Sequence, residues 1–184
     1  ATVDLLDRVR ESKNDQHVPP ALSVVLDRIE EICKPLETSS LQGQAGVQTM
    51  GQLARLYWTQ GRYLEAAATL REAWVTRCLE VEADVFNRKK REDVAEWLNE
   101  IAKDETDPAK RATSDPDPSD PFRKLAKAWN HIRDLRNDLE HGGYNPEPKP
   151  GERIDKGLET AIKNFEDFQG DLVSMRQNRD GSKG

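Results

Sequence analysis

The chain has 184 residues, 35% hydrophobic and 34% charged, which is enough apolar material for one core. Its 28 basic residues against 34 acidic leave a net charge of −6, which excludes a broadly basic nucleic-acid surface and confines any RNA or DNA contact to a local patch. Apolar runs are only a few residues long, so no segment is read as membrane-spanning, and no secretory-signal pattern is visible. Two cysteines, Cys33 and Cys78, build no disulfide framework; they read as small core residues suited to a reducing, cytoplasmic interior.

Strand formers are thin, whereas Leu, Ala, Glu and Arg are abundant, a composition that favours helices. Val3, Leu6 and Val9 predict a short first helix. Pro19 and Pro20 open a second, with Leu22, Val25, Leu26, Ile29, Ile32 and Cys33 on one stripe and Pro35 at its end. A Gly/Ser/Gln stretch at 38–46 reads as a break before Val47, Met50, Leu53, Leu56 and Tyr57 resume the pattern. Gly61 marks either a tight turn between two helices or a kink in one. Tyr63, Ala66, Ala67, Leu70, Ala73, Trp74 and Cys78 follow at helical spacing, and Val94, Trp97, Leu98 and Ile101 predict a shorter helix. A tetratricopeptide-like half-repeat is faintly visible from Tyr57 to Ala73, but no second copy accompanies it.

Residues 104–121, with prolines at 108, 116, 118 and 121, read as a mobile loop rather than a domain boundary. Asp120-Pro121 supplies a capping residue followed by proline at the first helical position. Phe122, Leu125, Trp129, Ile132, Leu135 and Leu139 form the next stripe, which Gly142-Gly143 stops. A Pro-rich connector at 144–151 leads to a last helix through Ile154, Leu158, Ile162, Phe165 and Leu172, with weak points at Gly157 and Gly170. Residues 176–184 read as a flexible tail behind a single domain over 1–175. The expected fold is all-α: a four-helix bundle with additional short helices. The chain opens on Ala1 rather than Met, so it is read as open to domains outside it.

The chemically informative stretch runs from Trp129 to Gly143. Steps of four, three, four and three from Leu125 reach 129, 132, 136 and 139, which places Arg136 on the apolar stripe, where a cation needs a partner or a function. Asn137 stands beside it, and His141 closes the helix beside its exposed carbonyl ends. Arg136 and His141 lie about 140° apart around an ideal helix with about 7.5 Å of rise, so they converge poorly within one chain. Two copies around a dimer axis would bring them together. No metal-ligand spacing, Ser-His-Asp set, phosphate-binding glycine loop or Cys-x-x-Cys is visible, so no cofactor is expected. Arginine grips phosphate as a permanently charged fork, histidine moves protons near neutral pH, and asparagine positions either by hydrogen bonding. That set suits cleavage of RNA through its own 2′-hydroxyl.

Arg136-Asn-Asp-Leu-Glu-His141 resembles the Arg-x4-His motif of HEPN ribonucleases, including the polar residue after the arginine. The glycines after His141 and the segment Leu56-Tyr-x3-Gly-Arg-Tyr-Leu-Glu-Ala-Ala-x2-Leu-Arg-Glu-Ala-Trp74 resemble the effector domain of type III CRISPR ancillary ribonucleases that join a CARF sensor to a HEPN nuclease. The resemblance covers roughly residues 45–175. It implies a homodimer with one composite site, metal-independent cleavage of single-stranded RNA to a 2′,3′-cyclic phosphate, and antiviral defence. Catalytic roles then fall on Arg136, His141 and Asn137. It also implies control by a CARF domain that binds a cyclic oligoadenylate, and no CARF-like region lies in this chain, so a sensor or other regulator would sit outside it. Arg133, His131, Arg88 and Lys89 are candidate RNA contacts, against the plainer reading that each belongs to a solvated helix face. Likewise Arg136 pairs on the plainer reading with Asp138 or Glu140 or with an acid on another helix, and the tryptophans at 58, 74, 97 and 129 read as core or interface. Two alternatives stand beside the nuclease: an inactive HEPN-like dimerisation or scaffold module, and the toxin of a toxin–antitoxin pair.

Overall fold

A computed structural model describes residues 2–13, 19–37, 43–79, 82–107, 120–141, 151–168 and 170–181. Among them the fold is all-α, with no strand. In chain order the helices are α1 (Thr2–Lys13), α2 (Pro20–Cys33), α3 (Gly43–Thr59), α4 (Tyr63–Arg77), α5 (Arg88–Thr106), α6 (Pro121–Glu140), α7 (Gly151–Asp167) and α8 (Leu172–Gly181). Short 3-10 turns at Lys34–Leu36 and Glu82–Phe86 follow α2 and precede α5. No helix among the described residues is long and apolar enough to cross a membrane.

α4 occupies the centre because its sequence permits burial over most of its circumference. Ala66, Ala67, Leu70, Ala73, Trp74, Val75 and Thr76 are all buried, and the alanines let neighbouring helices approach closely. α3, α4, α6 and α7 form a ring in which each packs on the next, while α5 lies against α6. Trp74 meets Phe165 edge-on at 5.0 Å and Phe168 at 5.3 Å between ring centroids. The α1–α2 hairpin buries Leu6 and Val9 and is laced by Arg10 to Glu30 and Glu37 and by Lys13 to Asp27 and Glu30. The bonds from Lys13 and Arg10 hold the Glu30 carboxyl below the usual carboxylate range.

Gly61 makes a turn between two helices rather than a kink in one. It adopts φ +72°, its N–H bonds Trp58 O at 2.9 Å, and the Arg62 N–H bonds Tyr57 O at 2.9 Å. This paired closure ends α3 and sends α4 back antiparallel. Trp58 at the end of α3 donates its indole Nε1–H to Asp155 at 2.8 Å, whereas Gly51, nearer the start of α3, faces the Phe165 ring. α3 and α7 are therefore antiparallel. Gly157 of α7 sits against Leu135 of α6 so closely that a Cβ there would lie 2.8 Å from Leu135 Cδ2. The α3–α4 turn, the C-terminus of α6 and the N-terminus of α7 thus share one end of the bundle.

Several helix bounds depart from the sequence pattern, and at three helix starts a side-chain cap or a glycine decides. α3 starts at Gly43 (φ +67°), inside the stretch read as a break. α5 is longer than its apolar positions suggest because the Asn87 side chain accepts from Lys90 N at 3.2 Å, drawing the basic run 88–91 into its first turn. The last pattern is two helices. Asp171 starts α8 by accepting from Ser174 N and Oγ at 3.2 and 2.8 Å, bonds that keep its carboxyl below the usual range. α8 continues to Gly181, so most of the stretch read as a tail is helical. α5 and the Asp120 cap occupy the borders of the expected 104–121 loop. The loop interior 108–119, Gly142-Gly143 and the connector up to residue 150 lie outside the described residues.

Candidate active site

The helix that carries Arg136 and His141 is held firmly in place. Asp120 caps α6 by accepting from Phe122 N at 2.9 Å, and Pro121 fills the first position. Leu125, Ala126, Ala128, Trp129, Ile132 and Leu135 are buried. Trp129 Nε1–H donates to Asn99 Oδ1 at 2.8 Å, Asn130 Nδ2–H to Ala102 O at 3.1 Å, and Arg123 pairs with Glu105 at 3.0 Å. These bonds to α5 join the packing against α4 and α7 to fix the rotation of α6. The direction of its last two turns follows.

The core position in that part of the helix is Leu135, and Arg136 stands at the edge of the stripe rather than on it. Its side chain is 36% exposed, and the guanidinium Nη2 donates to Glu140 Oε1 at 2.5 Å. The plainer expectation of a Glu140 partner is therefore met, one turn along the same helix. Asn137 is exposed, and its backbone carbonyl accepts from His141 N at 3.0 Å. His141 ends α6 with φ −101° and ψ 15°, exposed beside the final carbonyls of the helix. The motif is thus brought to one exposed helix end, where ideal helix geometry would set Arg136 and His141 about 140° apart.

The remaining candidates scatter. His131 is half-buried in the seam with α7, its Nε2 3.4 Å from where a Cβ on Gly157 would stand. That is about 15 Å of helix rise before His141. Arg133 pairs with neighbouring Asp134 at 3.3 Å. Arg88 and Lys89 are exposed on the first turn of α5, where Arg88 pairs with Glu92 at 2.7 Å. Arg91, in the same run, turns inward to Glu72, Thr76 Oγ1 and Val85 O. Trp74, Trp97 and Trp129 are core, and Trp58 is half-buried.

The bundle end also gathers groups that spacing did not single out. Asp155 accepts from Trp58 and is bonded to Tyr63. Burial and then the Asp155 charge push the Tyr63 phenol up. The Arg62 guanidinium lies 4.6 Å from the Tyr57 ring centroid. Asp155 is one charged residue among several in its stretch of sequence, so only the packing of α3 and the start of α4 against α7 reveals it. Among the described residues no group of three metal-ligating side chains forms. No family model matches the chain, and no curated protein and no solved structure matches it.

Proposed function

We propose that this chain is a HEPN-type endoribonuclease that cleaves single-stranded RNA without metal, in a homodimer whose paired α6 ends form one composite site. The RNA 2′-oxygen attacks the adjacent phosphorus, giving up its proton to a base. The P–O5′ bond breaks, and the leaving 5′-oxygen takes a proton, yielding a 2′,3′-cyclic phosphate and a 5′-hydroxyl. Arg136 stabilises the extra negative charge on the phosphorane oxygens, His141 serves as acid or base, and Asn137 positions the pair. The observation that carries this reading is the placement of Arg136, Asn137 and His141 at one exposed helix end whose rotation the core fixes, with a divergence that a second copy would resolve. The proposed setting is cytoplasmic, CRISPR-associated antiviral defence, with a CARF sensor outside this chain as regulator. The Arg136–Glu140 pair is what favours the second reading, an inactive scaffold in which the arginine is structural.

Incubation of a labelled single-stranded RNA with the protein in excess chelator tests the assignment. Wild type should cleave and leave cyclic phosphate ends. Arg136→Ala and His141→Ala should each lower the rate by about 10²–10⁴-fold, the range for a lost acid–base or charge-stabilising group. Full activity in either folded variant overturns the assignment of the site, and absence of cleavage by the wild type supports the scaffold reading instead.

A further inference from the structure

Glu140 is poorly placed to stabilise its own helix. It lies in the last turn of α6, where the macrodipole disfavours an anion. Its partner precedes it, and Arg at i with Glu at i+4 is the weaker order for such a pair. Both side chains are about one-third exposed, at 36% and 35%, so the pair adds little to stability. What it does is occupy Arg136: the Nη2 donor bonded to Glu140 belongs to the same planar fork that would grip a phosphate. Glu140 lies one turn beyond Arg136, about 6 Å of rise along the helix, and immediately precedes His141.

We propose that Glu140 is a displaceable counter-ion that regulates Arg136. It holds the guanidinium at the α6 end until an RNA phosphodiester replaces it. The inference rests on the nuclease reading above. A phosphodiester anchored by the rest of an RNA strand displaces the carboxylate, whereas a lone phosphate ion, with nothing else to hold it, competes poorly.

Binding of a labelled single-stranded RNA, measured by anisotropy in the non-cleaving His141→Ala background, tests this. Adding Glu140→Gln should lower Kd about threefold to fivefold, the scale of an exposed ion pair. In the Arg136→Ala/His141→Ala background the same change should do nothing, because its effect acts through Arg136. Equal tightening in both backgrounds would make Glu140 a general repulsive charge, and no tightening would make it inert; either overturns the proposal. Inorganic phosphate supplies a second reading: it should compete with RNA more strongly after Glu140→Gln, and unchanged competition counts against the counter-ion. The two proposals separate cleanly. Coupling without cleavage by wild type removes the nuclease and keeps the counter-ion, whereas cleavage without coupling does the reverse. A protein that binds no RNA removes both.

Discussion

Cys78 and Arg136 show opposite consequences of position for a single side chain. Cys78 is fully buried at the end of α4, and burial pushes its thiol up from 9.0 to about 12, against the pull of Arg176 and Arg77. A buried neutral thiol is a packing group, so native protein at pH 8 should take up a maleimide at half-buried Cys33 and not at Cys78 until it unfolds. Mass spectrometry of the labelled peptides checks this, and equal labelling would contradict the burial. The sign for stability follows. The folded thiol binds its proton more tightly than the unfolded one, so the contribution is full below pH 9.0 and declines as pH rises toward 12. Arg136 lies at the other extreme: solvent reaches its ion pair, so the pair exchanges readily for another anion. The motif residues were legible because Arg136, Asn137 and His141 stand at telling intervals on one helix. Asp155, Trp58 and Tyr63 were not, because they meet only where α3 and the start of α4 pack on α7.

Helices were legible where an apolar face had to meet the core. The stripes of α4, α6 and α7 run through Leu70 and Trp74, Leu125 to Leu135, and Leu158 to Phe165, and all of these are buried. Helix ends were less legible, because one hydrogen bond decides them and the residues concerned also populate loops. Asn87 and Asp171 look like loop residues until their side chains are seen capping α5 and α8. At α6 the cap and Pro121 are adjacent, and that start could be read directly. Gly61 is the clearest single dependence at this scale. A Cβ there would meet nothing within 4 Å, so the cost of substitution is purely the left-handed backbone at φ +72°. Gly61→Ala should destabilise the fold by about 1–2 kcal/mol, and Gly61→Asn by less. Urea unfolding reads both, and a neutral Gly61→Ala would mean that the α3–α4 turn relaxes without cost.

At the scale of the whole molecule, the net charge of −6 and the α6 geometry constrain the same question. An acidic protein does not hold RNA through a general basic surface, so cations must be concentrated where they act. One α6 end offers one arginine, already paired with Glu140, and one histidine on a different side of the helix. Two such ends facing each other across a two-fold axis would double the cations and let the arginine of one copy oppose the histidine of the other. The arrangement predicts complementation. Arg136→Ala chains keep His141, and His141→Ala chains keep Arg136, so on the proposed reading each homodimer should be inactive. After unfolding and refolding together, about half of the dimers are mixed by statistics alone, and these retain one arginine and one histidine on opposite chains. If the working pair spans the interface, cleavage should return in the mixture, in proportion to the mixed dimer measured by native mass spectrometry. If the working pair belongs to a single chain, the mixture stays inactive even though mixed dimers form. Activity per chain should also fall as wild type is diluted through its dimer dissociation, whereas a site complete within one copy would be insensitive to dilution.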